Sequence, residues 1–92
     1  MIASKFLHLQ TSTSGNEYVA FESTPASQLH VANGTGTTLS FKHAYNEDGD
    51  DFELPDGLAW TFRGITNADQ LLVKRADDST TQVTLKSVEV EL

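Results

Sequence analysis

Apolar and polar residues alternate along short segments of this chain, and turn-forming residues separate the segments. Alternation with a period of two is typical of β-strands that have one buried side and one solvent-facing side. The sequence contains no amphipathic stripe of apolar residues at positions i, i+3, i+4 and i+7, so the pattern predicts no helix. The predicted strands cover residues 6–9, 17–22, 28–32, 37–44, 52–54, 58–63, 71–75 and about 82–92.

The segments between the predicted strands carry strong turn signals. Residues 33–36 combine asparagine with glycine, which both tolerate a positive φ, and residues 55–57 form a Pro-Asp-Gly turn. About eight short strands at regular spacing are typical of an antiparallel sandwich or a small barrel. The sequence therefore predicts an all-β fold, a single antiparallel β-sandwich of jelly-roll-like type, with residues 1–92 in one domain.

The last predicted strand changes its apolar phase partway along. Its apolar residues before Lys86 lie on one side of the strand, and those after Ser87 lie on the other side. A β-bulge near these two residues would bring both sets to one face of a sheet, because a bulge adds one residue to one strand. Alternatively, the strand crosses between sheets, or its end faces a second subunit. In the last case three apolar residues are candidate interface residues: Val88, Val90 and Leu92.

Leu58, Trp60 and Phe62 make the strongest apolar face of the chain, and we predict that this face belongs to the core. In the alternative interpretation, Trp60 or Arg63 anchors an interface, because Trp, Tyr and Arg dominate binding hot spots. A third use of Trp60 is to stack on a sugar together with one of the two tyrosines, Tyr18 or Tyr45.

The charge balance bears on the class of partner. Thirteen acidic residues against six Lys and Arg give a net charge of −7, whereas a nucleic-acid partner or an anionic membrane requires a basic surface. No apolar run approaches the about 20 residues of a membrane span, and the N-terminus lacks the pattern of a signal peptide. The absence of cysteine excludes disulfides and cysteine-based metal sites.

The densest acidic run, at residues 46–51, is a candidate cation site. Clustered carboxylates attract Ca²⁺, but this run lacks the flanking helices and the distal glutamate of an EF-hand loop. We predict a solvated hairpin tip whose charge opposes aggregation, and a calcium site is the alternative. The carboxylates of the run are Glu47, Asp48, Asp50 and Asp51.

Other residue combinations do not indicate catalysis or metal binding. His8, His30 and His43 fall on three predicted strands without the close spacing of a metal-binding pair, so we interpret them as surface or partly buried residues. No Gly-x-Ser-x-Gly elbow is present, and short strands alone rarely build a sugar-cleaving cleft. Asn33 begins a glycosylation sequon that we interpret as a turn. We therefore predict a protein that is not an enzyme and that uses no metal or cofactor.

Several stretches of the chain carry a family resemblance. They are Phe-Glu-Leu-Pro-Asp-Gly at 52–57, the run from Trp60 to Leu71, Val-Lys-Arg at 73–75, Thr-Gln-Val-Thr at 81–84 and, upstream, residues 31–39. The most specific segment is Phe-Arg-Gly-Ile-Thr-Asn-Ala at 62–68. Together these stretches, within about residues 31–86, resemble small proteins encoded among phage and prophage structural genes.

The resemblance implies an all-β virion protein that decorates and cements the capsid. The resemblance implies that the chain binds the major capsid protein as a dimer or trimer. It also implies that the chain is made in the host cytoplasm and then lies on the capsid surface. The resemblance transfers no catalytic residue and no cofactor. The alternatives are a neck or tail connector or a receptor-facing adhesion module of the virion and, outside the resemblance, a small carbohydrate-binding module.

Overall fold

The computed structural model describes residues 4–14, 16–44 and 52–91 of the chain. Within these ranges the chain forms eight β-strands in two four-stranded antiparallel sheets, so the predicted all-β sandwich is confirmed. The strands are β1 (Ser4–Gln10), β2 (Val19–Ala20), β3 (Gln28–Ala32), β4 (Leu39–His43), β5 (Phe52–Leu54), β6 (Ala59–Arg63), β7 (Leu71–Arg75) and β8 (Thr84–Glu91), with a 3₁₀-helix at Ala68–Gln70.

Each sheet joins strands that are distant in sequence. Sheet A has the order β1-β8-β3-β6, and sheet B has the order β2-β7-β4-β5. The pairs β1 with β8, β2 with β7, β3 with β6 and β4 with β5 make the chain one long hairpin. The hairpin is rolled up so that β8 also pairs with β3, and β7 with β4. This is the strand order of a jelly roll.

The core lies between the two sheets and is built from alternate positions of the strands. In β3, Leu29 and Val31 are fully buried and His30 between them is exposed, as a period of two requires. Phe41 from β4 and Phe62 from β6 meet across the sheets, with ring centroids 4.8 Å apart. Burial of side chains of this size contributes about 1.5–3 kcal/mol each, so the core is the main source of stability.

Asn33 joins two turns at one end of the sandwich. Its buried side-chain amide donates to the carbonyls of Thr37 and Leu54, at 2.8 and 2.7 Å. Its amide oxygen accepts from the backbone N–H and the hydroxyl of Thr35, at 3.1 and 2.8 Å. The sequon at Asn33 is therefore a turn, as the sequence predicts, and the amide that a glycan would need is used inside the protein.

A second asparagine ties the β6–β7 connection to the β2–β3 connection. Asn67 Oδ1 accepts from the backbone N–H of Thr24 at 3.0 Å and from that of Asp69 at 3.1 Å, and the second bond caps the 3₁₀-helix. Gly64, at the start of the connection, has a φ of 78°, a left-handed conformation that favours glycine. The sequence did not predict this helix because three residues are too few to show a period.

The pairing of β1 with β8 contains one irregularity. Leu7 lies opposite Val88, and Leu9 lies opposite Leu85, so one residue of β1 faces two residues of β8. The extra residue lies at positions 86–87, where the sequence predicts a β-bulge. The bulge is therefore confirmed, and the interpretation that the strand crosses between sheets is wrong, because β8 stays in sheet A throughout.

The bulge brings the apolar residues on both sides of it into one core. Val88 is 0 % exposed and Val90 is 2 % exposed, as buried as Leu85 before the bulge. The prediction that Val88 and Val90 form a partner surface is therefore wrong, because the core of their own chain already covers both side chains. Leu92, the third residue of that predicted surface, lies outside the described residues.

We expect deletion of Lys86 to be tolerated better than deletion of Glu89. Without Lys86, the residues Leu85, Val88 and Val90 alternate regularly and still face inward, so we expect a loss below about 2 kcal/mol. Deletion of Glu89 inverts the end of β8, which removes Val90 from the core and turns a carboxylate inward, at a cost above about 3 kcal/mol.

Urea unfolding of the two deletion variants and the parent chain measures both costs. Each deletion removes one exposed or half-buried charged residue from the same strand, so the two variants differ mainly in strand phase. Equal losses of stability would contradict the assignment of the bulge as the device that sets the phase of β8.

Candidate interface at the flank of β5 and β6

One flank of the sandwich exposes large apolar side chains. β5 is an edge strand of sheet B and β6 is an edge strand of sheet A, and the short turn between them brings both edges to the same side. Phe52 is 36 % exposed, Trp60 51 % and Leu58 54 %. We refer to these three residues as the aromatic flank.

The aromatic flank continues into the core through a series of ring contacts. The Phe52 and Trp60 centroids are 5.0 Å apart, Phe52 meets Phe62 edge-on at 5.6 Å, and Phe62 contacts Phe41. Aromatic pairs at such separations contribute about 0.5–1.5 kcal/mol beyond their burial. A depression of about 170 Å³ lies beside these rings, closed on one side by the end of β4. A side chain placed in it would contact both the flank and the core.

Trp60 points toward the inner side of sheet A but is not in the core. It lies opposite Val31 and shares the face of Phe62, which is buried. The strand of sheet B at this flank, β5, has only three residues, and its Phe52 covers one side of the indole. The predicted core position is therefore confirmed for Phe62 and wrong for Trp60 and Leu58, which are 51 % and 54 % exposed because the described residues of β5 cover only one side of the indole.

Arg63, the second predicted anchor, is exposed at the end of β6 on the outer face of sheet A. Its backbone carbonyl lies 3.2 Å from His43 Nε2, a contact that ties β6 to β4. On the same face, His30 Nδ1 and Thr61 Oγ1 are 2.7 Å apart. His30, Thr61 and Arg63 line an open depression of about 350 Å³ together with Ala59 and Trp60. The flank thus has an apolar centre and a polar rim, which is the anatomy of a protein–protein interface.

The two tyrosines do not join Trp60 in the described part of the chain. Tyr18 precedes β2, at the edge of sheet B opposite to β5. The Nζ atoms of Lys42 and Lys74 lie 4.5 and 5.9 Å from the centroid of its ring. Tyr45 lies outside the described residues. A sugar platform made of Trp60 and Tyr18 is therefore not assembled.

The interpretation of the histidines as surface or partly buried residues is confirmed. His8 and His30 are exposed on strands of sheet A, and His43 is half-buried on a strand of sheet B. Among residues 4–14, 16–44 and 52–91, no three side chains of His, Cys, Asp or Glu form a group that could hold a metal ion. The acidic run at residues 46–51 lies outside these ranges, so the choice between a solvated tip and a calcium site stays a prediction.

Two acidic residues, Asp77 and Asp78, lie between β7 and β8 and form ion pairs with basic side chains of β7. Arg75 Nε and Nη2 donate to the two carboxylate oxygens of Asp77 at 3.0 and 2.7 Å, and the Ser79 N–H donates at 3.1 Å. Hydrogen bonds to the ionised form, above all those from Arg75, hold the pKa of Asp77 below its ordinary value. Lys74 pairs with Asp78. The pair therefore orders a connection between strands.

Comparison of the sequence with protein-family models and with curated proteins gives no match. No helix in the described ranges is long and apolar enough to span a membrane. Three of the four large hydrophobic side chains that are exposed in the described ranges belong to the aromatic flank, so the functional interpretation starts from this surface.

We expect Trp60→Ala to destabilise the protein less than Phe62→Ala. Truncation of a buried aromatic residue costs about 3–5 kcal/mol, whereas Trp60 keeps half of its surface in water, so we expect about 1–2 kcal/mol for its truncation. Urea unfolding followed by circular dichroism measures both variants without relying on the single tryptophan. Equal costs would place the indole in the core and contradict the exposed flank.

Proposed function

We propose that this protein is a capsid decoration protein of a bacteriophage, which binds the major capsid protein on the outside of the head and stabilises the shell. The resemblance of residues 31–86 to phage structural proteins supports this assignment. The jelly-roll order is compatible with it, because viral capsid domains share this architecture. A fold alone does not assign a function, so the surface has to support the proposal.

The aromatic flank is the observation that carries the proposal. Contiguous exposed apolar residues on a soluble protein mark association sites. Trp60 and Phe52 are in ring contact at the surface, and Arg63 is exposed at the rim, which combines residue types common at binding hot spots. A chain of 10.0 kDa with such a flank is suited to act by association.

The charge of the chain suits the outside of a capsid. A net charge of −7 disfavours contact with packaged DNA, since phosphates repel it. On the outer face of sheet A, Glu89 and Glu91 belong to β8, whereas Arg63 is the charged residue of β6. The aromatic flank can therefore dock without bringing the carboxylates of β8 into the contact.

Preferential binding to the assembled shell is the physical basis of cementing. A ligand that binds only the assembled state stabilises it by about 2.7 kcal/mol per site when its free concentration is 100 times Kd. A decoration unit that contacts the shell at more than one site binds it with higher overall affinity, because the second contact forms at a high effective concentration. A small, rigid β-sandwich provides this gain with little loss of conformational entropy on binding.

The test uses particles of the phage that encodes the chain, with the gene intact, deleted or carrying Trp60→Ala. We expect hundreds of copies on intact heads, and earlier DNA release on heating when the gene is deleted. We expect Trp60→Ala to reduce occupancy at least about tenfold at limiting protein, which corresponds to 1.4 kcal/mol. Phe6→Ala is the matched control, because Phe6 is an exposed aromatic residue on β1, away from the flank.

Two results would contradict decoration. A copy number equal to one ring of the neck or tail would assign the chain to the connector or adhesion alternatives. Equal heat resistance of heads with and without the chain would remove the stabilising role, whatever the copy number.

A second candidate function is carbohydrate binding, and the exposure of Trp60 favours it. A sugar can stack on an exposed indole while polar side chains beside it form hydrogen bonds, and jelly rolls include lectin domains. His30, Thr61 and Arg63 line the depression next to Trp60. Against this function, His30 and Thr61 already contact each other, and Tyr18 does not join the site.

Emission of the single tryptophan tests the carbohydrate candidate directly. Titration of the purified chain with a panel of oligosaccharides should give a saturable change in emission that Arg63→Ala abolishes. Lys86→Ala, which removes an exposed cation on β8, is the control and should leave the change intact. A flat titration would leave capsid decoration as the function that the flank serves.

A further inference from the structure

We propose that β6 pairs with β6 of a second copy of this chain. The two strands run antiparallel about a two-fold axis at Thr61, so that sheet A of each copy joins into one eight-stranded sheet across the dimer. The inference deepens the proposed function, because it makes a dimer the unit that binds the capsid. Its physical basis is independent of the capsid.

β6 is the edge strand with the least protection against pairing. Proteins protect sheet edges with short strands, prolines, lysines and bulges. Among the described strands, β2 has two residues, β5 has three and is followed at once by Pro55, and β1 carries the irregular pairing with β8. β6 has five residues in unbroken register with β3, and it contains neither proline nor lysine. It therefore offers a regular edge to another strand.

The backbone of β6 is oriented for such pairing. The carbonyl of Leu58 accepts from the N–H of Asn33 at 2.9 Å, which continues the ladder with β3. Residues of an antiparallel strand direct their N–H and C=O alternately to one neighbour and to the other. Counting from Leu58, the N–H and C=O groups of Ala59, Thr61 and Arg63 point away from β3. The Arg63 carbonyl already lies 3.2 Å from His43 Nε2, so a second strand would bond mainly to Ala59 and Thr61.

The side chains of the inner face are complementary in this register. With Thr61 on the axis, Trp60 of each copy lies opposite Phe62 of the other copy. The pair is of the non-hydrogen-bonded kind, in which side chains are closest, and aromatic pairs stabilise such positions. The exposed side of the indole would then lie over β6 of the second copy, beside its Phe62, which is 5 % exposed. This covers the side of Trp60 that the short β5 leaves open.

The charged residues of β6 and β8 do not oppose the contact. On the outer face, Ala59 lies opposite Arg63 of the second copy, and the Thr61 side chains face each other, so no like charges meet. Glu89 and Glu91 belong to β8, two strands from the seam. At a strand spacing of about 4.8 Å they lie about 15 Å from the first strand of the second copy, beyond the about 8 Å over which charges act at physiological salt.

The seam is small, which sets the expected strength of the dimer. A five-residue edge with its flank buries less than the about 1,200–2,000 Å² of a standard interface, so we expect a weak dimer. Sedimentation equilibrium up to about 1 mM chain covers that range. The average mass should rise from 10.0 kDa toward twice that value, while the emission of Trp60 shifts to shorter wavelength as the indole leaves water.

A charge pair at Ala59 tests the register. Ala59→Glu adds a carboxylate opposite Arg63 of the second copy, and we expect about twofold to thirtyfold tighter dimers, because each dimer gains two such pairs. Ala59→Lys should weaken the dimer to a similar extent. General repulsion would act the other way, since the glutamate raises the net negative charge. Ala20 is an exposed alanine of β2 in sheet B. Ala20→Glu and Ala20→Lys therefore measure the effect of net charge alone on the dimer affinity.

Several outcomes would overturn the dimer. They are a mass that stays at 10.0 kDa throughout, Ala59 variants that follow net charge as the Ala20 variants do, or tryptophan emission that responds to oligosaccharides at constant mass. Unfolding in urea shows that each variant is folded before its mass is interpreted. The experiment contains no capsid, so a monomeric result leaves decoration standing, and heads that fail to bind the chain leave the dimer standing.

Discussion

The inward phase of β8 is the constraint on which the rest of the sandwich depends. β8 is the longest described strand and lies in the interior of sheet A, between β1 and β3. A slip of one residue would turn its apolar side chains outward, and sheet A would lose a continuous inner face. The bulge at residues 86–87 prevents this, and it lies where pairing with β3 begins, so mainly the ladder with β1 is disturbed. The irregularity is thus placed where it interrupts the fewest hydrogen bonds.

Much of this fold could be predicted from alternation alone. The predicted bounds of the strands at 28–32, 52–54 and 71–75 coincide with β3, β5 and β7, because each is a short apolar–polar alternation between turns. The bulge could be predicted for the same reason, since an alternation that changes phase needs an extra residue. The strand predicted at 17–22 is reduced to Val19–Ala20, although Phe21 next to it is buried in the core.

The exposed position of Trp60 could not be predicted in this way. Alternation shows which side of a strand a residue is on, but not whether the opposite sheet extends far enough to cover it. Trp60 and Phe62 share one side of β6, but the described part of sheet B covers Phe62 and leaves half of the indole exposed. The burial of Val88 and Val90 was likewise open, because it required a choice among three interpretations of one phase change. The exposure of Trp60 and the burial of Val88 and Val90 both depend on how the two sheets pack, which the alternation within a single strand does not show.

Folding explains the residues of the segment at 62–68, on which the proposed family resemblance mainly rests. Phe62 and Ile65 are buried in the core, Gly64 has a left-handed backbone, Asn67 caps the 3₁₀-helix, and Ala68 is 0 % exposed. Residues with such roles preserve a joint between strands and specify no partner. These folding roles account for the segment without a partner, so the proposed partner has to be sought at the aromatic flank.

The place of that flank follows from the topology. In a rolled hairpin with these pairings, the two edges at each flank come from consecutive strands, β1 with β2 at one side and β5 with β6 at the other. At the second flank the described residues of β5 leave Trp60 of β6 half exposed. The net charge of −7 repels other molecules only weakly at long range, since it is screened beyond about 8 Å at physiological salt. At short range, a partner contacts the exposed aromatic side chains and the edge of β6, so these groups determine whether it binds.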